Sequence, residues 1–316
     1  MRQMLHDVME GDYTKASQTR QPECNEVHAT GLICNHRLLD GDNHATYPMI
    51  IAFSLLAIAL YLATTGAIGL RVRALASGHG AIPRELVLLV WGGAVLLHAI
   101  VAYREVLTPA GLDLGFYHAL SSVSWLMVAL LLLASLKRPV ENIGLLLLPL
   151  AAIALLLETL LPDVRFIPAA TRPGLDIHIF LSLLAYSMLG LAALQAMVLW
   201  FQDRHLHTHR PGGLLRALPP LQHMESLLFQ LLGVGFVLLS AGLITGFVYL
   251  EDIFAQHQVH KTVLSIVAWC LFATLLFGRW RFGWRGRKAI RWTLGGFVFL
   301  MLAYFGSKLV IELILR

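Results

Sequence analysis

Residues 175 to 201 read LDIHIFLSLLAYSMLGLAALQAMVLWF, an apolar run long enough to cross the ~30 Å of hydrocarbon in a bilayer, with His178 set just inside its start. At helical spacing His178, Ser182, Tyr186 and Gly190 fall on one face, with Ala185 and Ala193 beside them. A stripe of polar and small residues therefore descends an otherwise apolar helix. Such a stripe faces protein and not lipid. Small residues let neighbouring helices approach, and an imidazole in hydrocarbon without a partner is expensive, so this helix is expected to dock into a bundle around His178.

The rest of the chain agrees. Of 316 residues, 57% are apolar and 14% charged, and the mean hydropathy is +0.69, so the sequence describes a multi-pass membrane protein in contact with the lipid bilayer. The net charge of +5 would suggest nucleic acid in a soluble protein. Here Lys and Arg collect in particular short loops, as membrane topology demands, and no nucleic-acid partner is expected. Cys24, Cys34 and Cys270 are scattered, without a CxxC or a metal-binding spacing, so no thiol redox chemistry is indicated.

Residues 1–47 form a polar, mixed-charge tail without apolar periodicity and without the apolar region or cleavage site of a signal peptide. The tail is expected to be disordered or a start-site extension, dispensable for function, because Met49 immediately precedes the first hydrophobic run. Residues 48–316 are expected to form the transmembrane domain. Apolar runs of about 20 residues recur near 48–70, 86–103, 116–136, 142–161, 175–201, 226–250, 262–278 and 292–314, which gives an all-α membrane bundle of eight helices.

Lys and Arg near helix ends favour the cytoplasm. The odd-numbered loops hold fourteen of them: Arg71, Arg73, Arg84, Lys137, Arg138, Arg204, Arg210, Arg216, Arg279, Arg281, Arg285, Arg287, Lys288 and Arg291. The even-numbered loops hold four, Arg104, Arg165, Arg172 and Lys261. Both termini are therefore expected on the outer, periplasmic side.

That orientation sorts the histidines. His98 lies near the outward end of the second helix, His118 opens the third, His178 opens the fifth, and His257 and His260 precede the seventh, all toward the outer leaflet. His118 shares a face with Ser121, Ser122 and Trp125, and His98 aligns with Ala94, Ala102 and Glu105. For one imidazole the ordinary explanation is a hydrogen bond across a helix contact. Four at one level are as readily explained by a shared ligand site, above all one in which neutral imidazole ligates haem iron; a proton path is the other use. The HLHTH cluster of His205, His207 and His209 lacks carboxylate or cysteine companions and reads as a solvated loop. The run RWRFGWRGRK in loop seven reads as an interfacial anchor, with Trp at the headgroups and charge toward anionic lipid.

HIFLSLLAYSMLGLAALQ around His178, HKTVLSIVAW beginning at His260, FGWRGRKAIRW in loop seven and LAYFGSKLVIELIL near the end together resemble the inner-membrane cytochrome c assembly proteins, which are CcsA-like, in the shorter HemX- and YpjD-like branch. The resemblance covers most of the chain from about Pro48. It implies haem handling at the outer membrane face, with outer histidines ligating haem bound for apocytochrome c. His178 takes the position of the first such histidine, in the H-x-x-x-S-x-x-x-Y context. The family's tryptophan-rich haem-cradling segment is absent, and no histidine follows His260, so the second ligand is expected to be His260 or His98.

The expectation is thus a haem-binding protein of the bacterial inner membrane that supports cytochrome c assembly at the periplasmic face. Haem is expected as its transient cargo or its resident cofactor, and apocytochrome c or other assembly proteins are the expected partners. His178 and His260 are the expected iron ligands, His98 and His118 pocket members, and Arg104, Arg172 and Lys308 partners for propionates. The sequence holds no triad, Gly-rich phosphate loop or carboxylate pair, and no enzyme activity is expected. Two other readings stay open: a HemX-like regulator contacting a protein partner through basic loops five and seven, and a small-solute or proton-coupled transporter with helices broken near Pro149 or the glycines of the sixth and eighth helices.

Overall fold

A computed structural model describes residues 43–78, 80–108, 111–161, 166–168, 174–206, 220–249 and 259–306. The expectations for the tail before residue 43, and those for His207, His209, His257, Arg172 and Lys308, lie outside the described residues.

Eight helices are long and apolar enough to cross a membrane. They are α1 (Asn43–Ser77), α2 (Arg84–Val106), α3 (Phe116–Lys137), α4 (Gly144–Leu160), α5 (Leu175–Leu206), α6 (Leu221–Tyr249), α7 (Val259–Phe282) and α8 (Arg287–Met301), the fourth and eighth spans reaching full length, Glu141–Leu160 and Arg287–Gly306, with the helical turns that adjoin them. The fold is all-α, as the apolar runs require. Several helices outrun the hydropathy boundaries: α6 begins at Leu221 and α8 at Arg287. Hydropathy falls where charges start, whereas a helix continues into the headgroups because Lys and Arg can extend their charged tips to water. A 3-10 turn, Glu141–Ile143, leads into α4, and α4 runs on unbroken through Pro149.

At α8's far end the helix widens into a π turn, Leu302–Gly306. Such turns leave part of the regular ladder unmade, and the Tyr186 hydroxyl donates to the Leu300 carbonyl just before it at 2.6 Å.

Three short strands break the helical pattern: β1 (Leu107–Thr108), β2 (Gly111–Asp113) and β3 (Phe166–Pro168). They pair antiparallel in the order β1-β2-β3, with Leu107 opposite Leu112 and Asp113 opposite Phe166. The connection between α2 and α3 is thereby tied to the one between α4 and α5. This end of the bundle is called the strand end below, and the other the arginine end.

The described residues from Pro48 onward belong to one compact unit, in which two large apolar clusters form beside a small one of Ala57, Val101 and Leu155. The first joins α1 to α4 through Tyr61, Ile68, Trp91, Leu131, Leu147 and Leu148; the second joins α5 to α8 through Leu189, Leu228, Leu232, Phe272, Leu275 and Leu300. Helix α5 serves both, contributing Leu191 and Leu194 to the first, and packs most extensively on α6. That close approach needs glycine, since a Cβ on Gly235 would stand 2.7 Å from Leu189; at the separate contact of α7 with α8, a Cβ on Gly296 would stand 2.8 Å from Phe272.

The arginine end is fastened by its own charges. Arg84 donates to the carbonyls of Ser135 and Arg138 and lies 3.4 Å from Glu141. Arg138 donates to Gln230 at 2.7 Å, Arg279 pairs with Glu225 at 3.1 Å, and Arg287 pairs with Asp203 at 2.9 Å. Trp280 projects outward, 82% exposed, as expected of an interfacial anchor.

Candidate functional site

Three of the histidines with described side chains, His98, His118 and His178, sit at the strand end, and each has a different environment; a fourth, His223, is exposed in the first turn of α6 at the arginine end. On α2, His98 is fully buried. Its Nδ1 lies 3.1 Å from the Tyr61 hydroxyl of α1, and its Nε2 lies 2.9 Å from Ser121 Oγ of α3. Both ring nitrogens are occupied. This is the satisfied core imidazole that a single helix-borne histidine most often is.

On α3, His118 meets two acids. Its Nδ1 stands 2.8 Å from Glu158 Oε1 of α4, and its Nε2 stands 3.8 Å from Asp113 Oδ2 of β2. Asp113 is held in turn, since its Oδ1 accepts the Gly115 N–H at 3.1 Å. Glu158 was not singled out from the sequence, although a lone carboxylate inside the apolar run LLLLPLAAIALLLETL is a marked signal in a membrane helix.

On α5, His178 is half-buried. Its Nδ1 lies 2.9 Å from the Gly242 carbonyl and 3.3 Å from Thr245 Oγ1, both on α6. A carbonyl can only accept, so Nδ1 carries the hydrogen, and in the neutral ring Nε2 keeps its lone pair. Among the described residues Nε2 has no hydrogen-bond partner.

That ring lines a cavity of about 440 Å³, within the ~300–1,000 Å³ of small-molecule and cofactor sites. Helix α5 supplies His178, Ser182, Ala185 and Tyr186; α6 supplies Leu239, Gly242, Gly246 and Phe247; α7 supplies Lys261, Thr262 and Ser265; and α8 with its π turn supplies Leu300, Ala303 and Tyr304. The stripe read from the sequence is therefore the cavity wall for its first three members, His178, Ser182 and Tyr186. Its lower member, Gly190, packs on Met127, where a Cβ would stand 3.0 Å away.

The four histidines are not brought into one pocket. His98 and His118 lie in hydrogen-bonded clusters among α1 to α4, and neither lines the cavity. The backbone of His260 is in the first turn of α7, one residue before cavity-lining Lys261, while its side chain lies outside the described residues. Arg104 is exposed on α2 and does not line the cavity. Among the described residues no cluster of three or more His, Cys, Asp or Glu could hold a metal ion by itself. A metal centre that already carries most of its ligands makes no such demand, and haem iron needs only axial donors. One neutral imidazole with its second nitrogen fixed by a carbonyl, in a mostly apolar cavity, fits that group.

Residues 80–315 match the family described as Cytochrome C assembly protein. The inner membrane protein YpjD of Escherichia coli strain K12 is 35% identical over 227 residues, covering 70% of this chain and 84% of its own. A protein of Azospirillum brasilense described as uncharacterized is 33% identical over 253 residues, 76% of this chain and 90% of its own. The cytochrome c biogenesis protein CcsA of Prochlorococcus marinus strain MIT 9303 is 24% identical over 230 residues, 62% and 72% of the two chains. No solved structure matches.

Proposed function

The chain belongs to the cytochrome C assembly protein family, and on that premise we propose that it is a multi-pass inner-membrane protein of cytochrome c biogenesis that handles haem at the periplasmic face. Haem is held as cargo in the cavity between α5 and α8, with His178 Nε2 as an iron ligand. The observation that carries this reading is the bond from His178 Nδ1 to the Gly242 carbonyl at 2.9 Å. It fixes the tautomer and the ring plane, and it raises the basicity of the nitrogen that lines the cavity.

The uneven distribution of Lys and Arg between alternate loops supports placing the strand end outside. His260 is favoured as second ligand over His98 and His118, because it adjoins a cavity residue while the others spend both ring nitrogens on neighbours. When bound, haem supplies the iron; the chain supplies a basic nitrogen and an apolar enclosure that keeps water off the porphyrin face.

The test is an absorption spectrum of the detergent-purified chain, oxidised and reduced, with and without added haem. A Soret band with sharp reduced α and β bands is expected, weakened in His178→Ala and retained in His98→Leu. A parent that is colourless and takes up no added haem defeats the proposal, and attention moves to a protein partner docking at the arginine end.

A further inference from the structure

We propose that Thr245 on α6 is a positioning residue for His178: its hydroxyl, together with the Gly242 carbonyl, draws on the Nδ1 hydrogen, makes Nε2 a stronger donor and so biases the cavity toward ferric haem. The inference rests on the haem reading and names the redox state of the ligand that the same site prefers.

A threonine inside a membrane helix ordinarily bonds its own backbone one turn back. Thr64, Thr159 and Thr293 do only this, donating to the carbonyls of Leu60, Leu155 and Ala289. Thr245 bonds the Ala241 carbonyl in the same way at 2.9 Å, but its oxygen also stands 3.3 Å from His178 Nδ1 of α5. The two helices run close at this point, where a Cβ on Gly242 would stand 3.6 Å from Ser182 Oγ. Thr245 is half-buried on the Nδ1 side of the ring, while Gly242, Leu243, Gly246 and Phe247 form the α6 wall of the cavity. It therefore reaches a ligand only through the imidazole.

Counting lone pairs decides where the hydrogens lie. A carbonyl oxygen has two. That of Gly242 meets the Gly246 N–H in the regular ladder of α6 and the His178 Nδ1–H at 2.9 Å, which leaves none for the Thr245 hydroxyl 3.0 Å away. The single hydroxyl hydrogen goes to Ala241. Its oxygen then accepts, and the Nδ1 hydrogen is shared between carbonyl and hydroxyl in a three-centre bond. A hydroxyl that is itself donating is the better acceptor. Bonds taken from the far nitrogen of a ligating histidine raise the basicity of the near one, and such outer bonds are among the levers that set the potential of haem iron. A more electron-rich imidazole stabilises the more highly charged ferric ion over the ferrous one.

The test titrates the full detergent-purified chain with ferric and with ferrous haem by absorption and follows the midpoint potential of the loaded protein. Thr245→Val keeps the shape and removes the hydroxyl. It is expected to weaken ferric haem about tenfold, the effect of a lost outer hydrogen bond, to change ferrous haem far less, and to raise the potential by about 59 mV, the equivalent of tenfold for one electron. Thr245→Ser is expected to restore both. A Thr245→Val protein with an unchanged potential, or one that loses ferric and ferrous haem equally, overturns the proposal, since a side chain that only packs acts on both. The ligand-free parent with nitrogen-labelled histidine gives a reading that needs no variant: His178 is expected as the Nδ1–H tautomer by nuclear magnetic resonance, and the Nε2–H tautomer overturns the proposal. A parent that takes up no haem overturns the haem reading and the preference with it, whereas haem uptake that Thr245→Val leaves untouched in both redox states overturns the preference alone.

Discussion

The halves of the bundle treat the same side chain in opposite ways. Among α1 to α4, His98 and His118 have both ring nitrogens engaged, one by hydroxyls and the other by carboxylates. Among α5 to α8, His178 has one nitrogen anchored on a carbonyl and the other lining a cavity. All three stand at the strand end, so what separates a structural imidazole from an available one is the number of ring nitrogens engaged. An intramembrane histidine with both ring nitrogens engaged holds helices together; one with a single nitrogen anchored, and its tautomer thereby fixed, is prepared to bind something else.

The sharpest way to break this contrast is at His118. His118→Ala takes the imidazole partner away from the buried Glu158 carboxyl group and is expected to cost about 3–5 kcal/mol, read as a large fall in thermal unfolding temperature in detergent. A silent substitution would mean that the first half is not held by its imidazoles. Next, Gly235→Ala drives a Cβ into Leu189 at the α5–α6 contact and is expected to cost about 1–3 kcal/mol of overpacking in the same melting measurement. His98→Leu fills its own space but strands the Tyr61 and Ser121 hydroxyls; a loss of about 1–3 kcal/mol is expected, with no change in haem uptake. His178→Ala gives up only the Nδ1 bond to the Gly242 carbonyl and the longer contact with Thr245, so the expected loss is only about 0.5–1.5 kcal/mol, while haem uptake is weakened. If His178→Ala proved the most destabilising of the set, the division between structural and available imidazoles would be wrong.

The helices were legible because each had to cover its own backbone through ~30 Å of hydrocarbon, which writes a long apolar signature into consecutive residues. The strands were not, because two- and three-residue strands are too short to show an alternation, and their pairing joins connections more than fifty residues apart. The side of the bundle on which the histidines lie followed from simple counting of helices, and the inward face of α5 followed from Ser182, Tyr186 and Gly190. What the sequence could not supply was the partners. Tyr61 lies 37 residues from His98, Glu158 lies 40 from His118, and Gly242 lies 64 from His178. Helix packing alone decides which of these distant residues meet. Four histidines at one level therefore looked like one site, although only His178 has a described side chain that reaches the cavity. Lys261 was hidden for another reason: it was counted as a loop charge, when the first turn of α7 already places it on the bundle side.

The π turn at Leu302–Gly306 has a consequence for insertion and deletion. A π turn is a regular helix with one residue too many, and the surplus is absorbed locally in place of shifting the whole helix. Removing one residue there, Leu302 for example, would let the α-helix continue, and every later residue would be rotated by roughly 100° relative to Thr293, Gly296 and Leu300. Ala303 and Tyr304 would leave the cavity wall while the buried contacts of α8 upstream stayed in place. The chain thus carries a single-residue phase setting: its length at this point, and not the identity of any one side chain, decides whether the end of α8 closes the pocket.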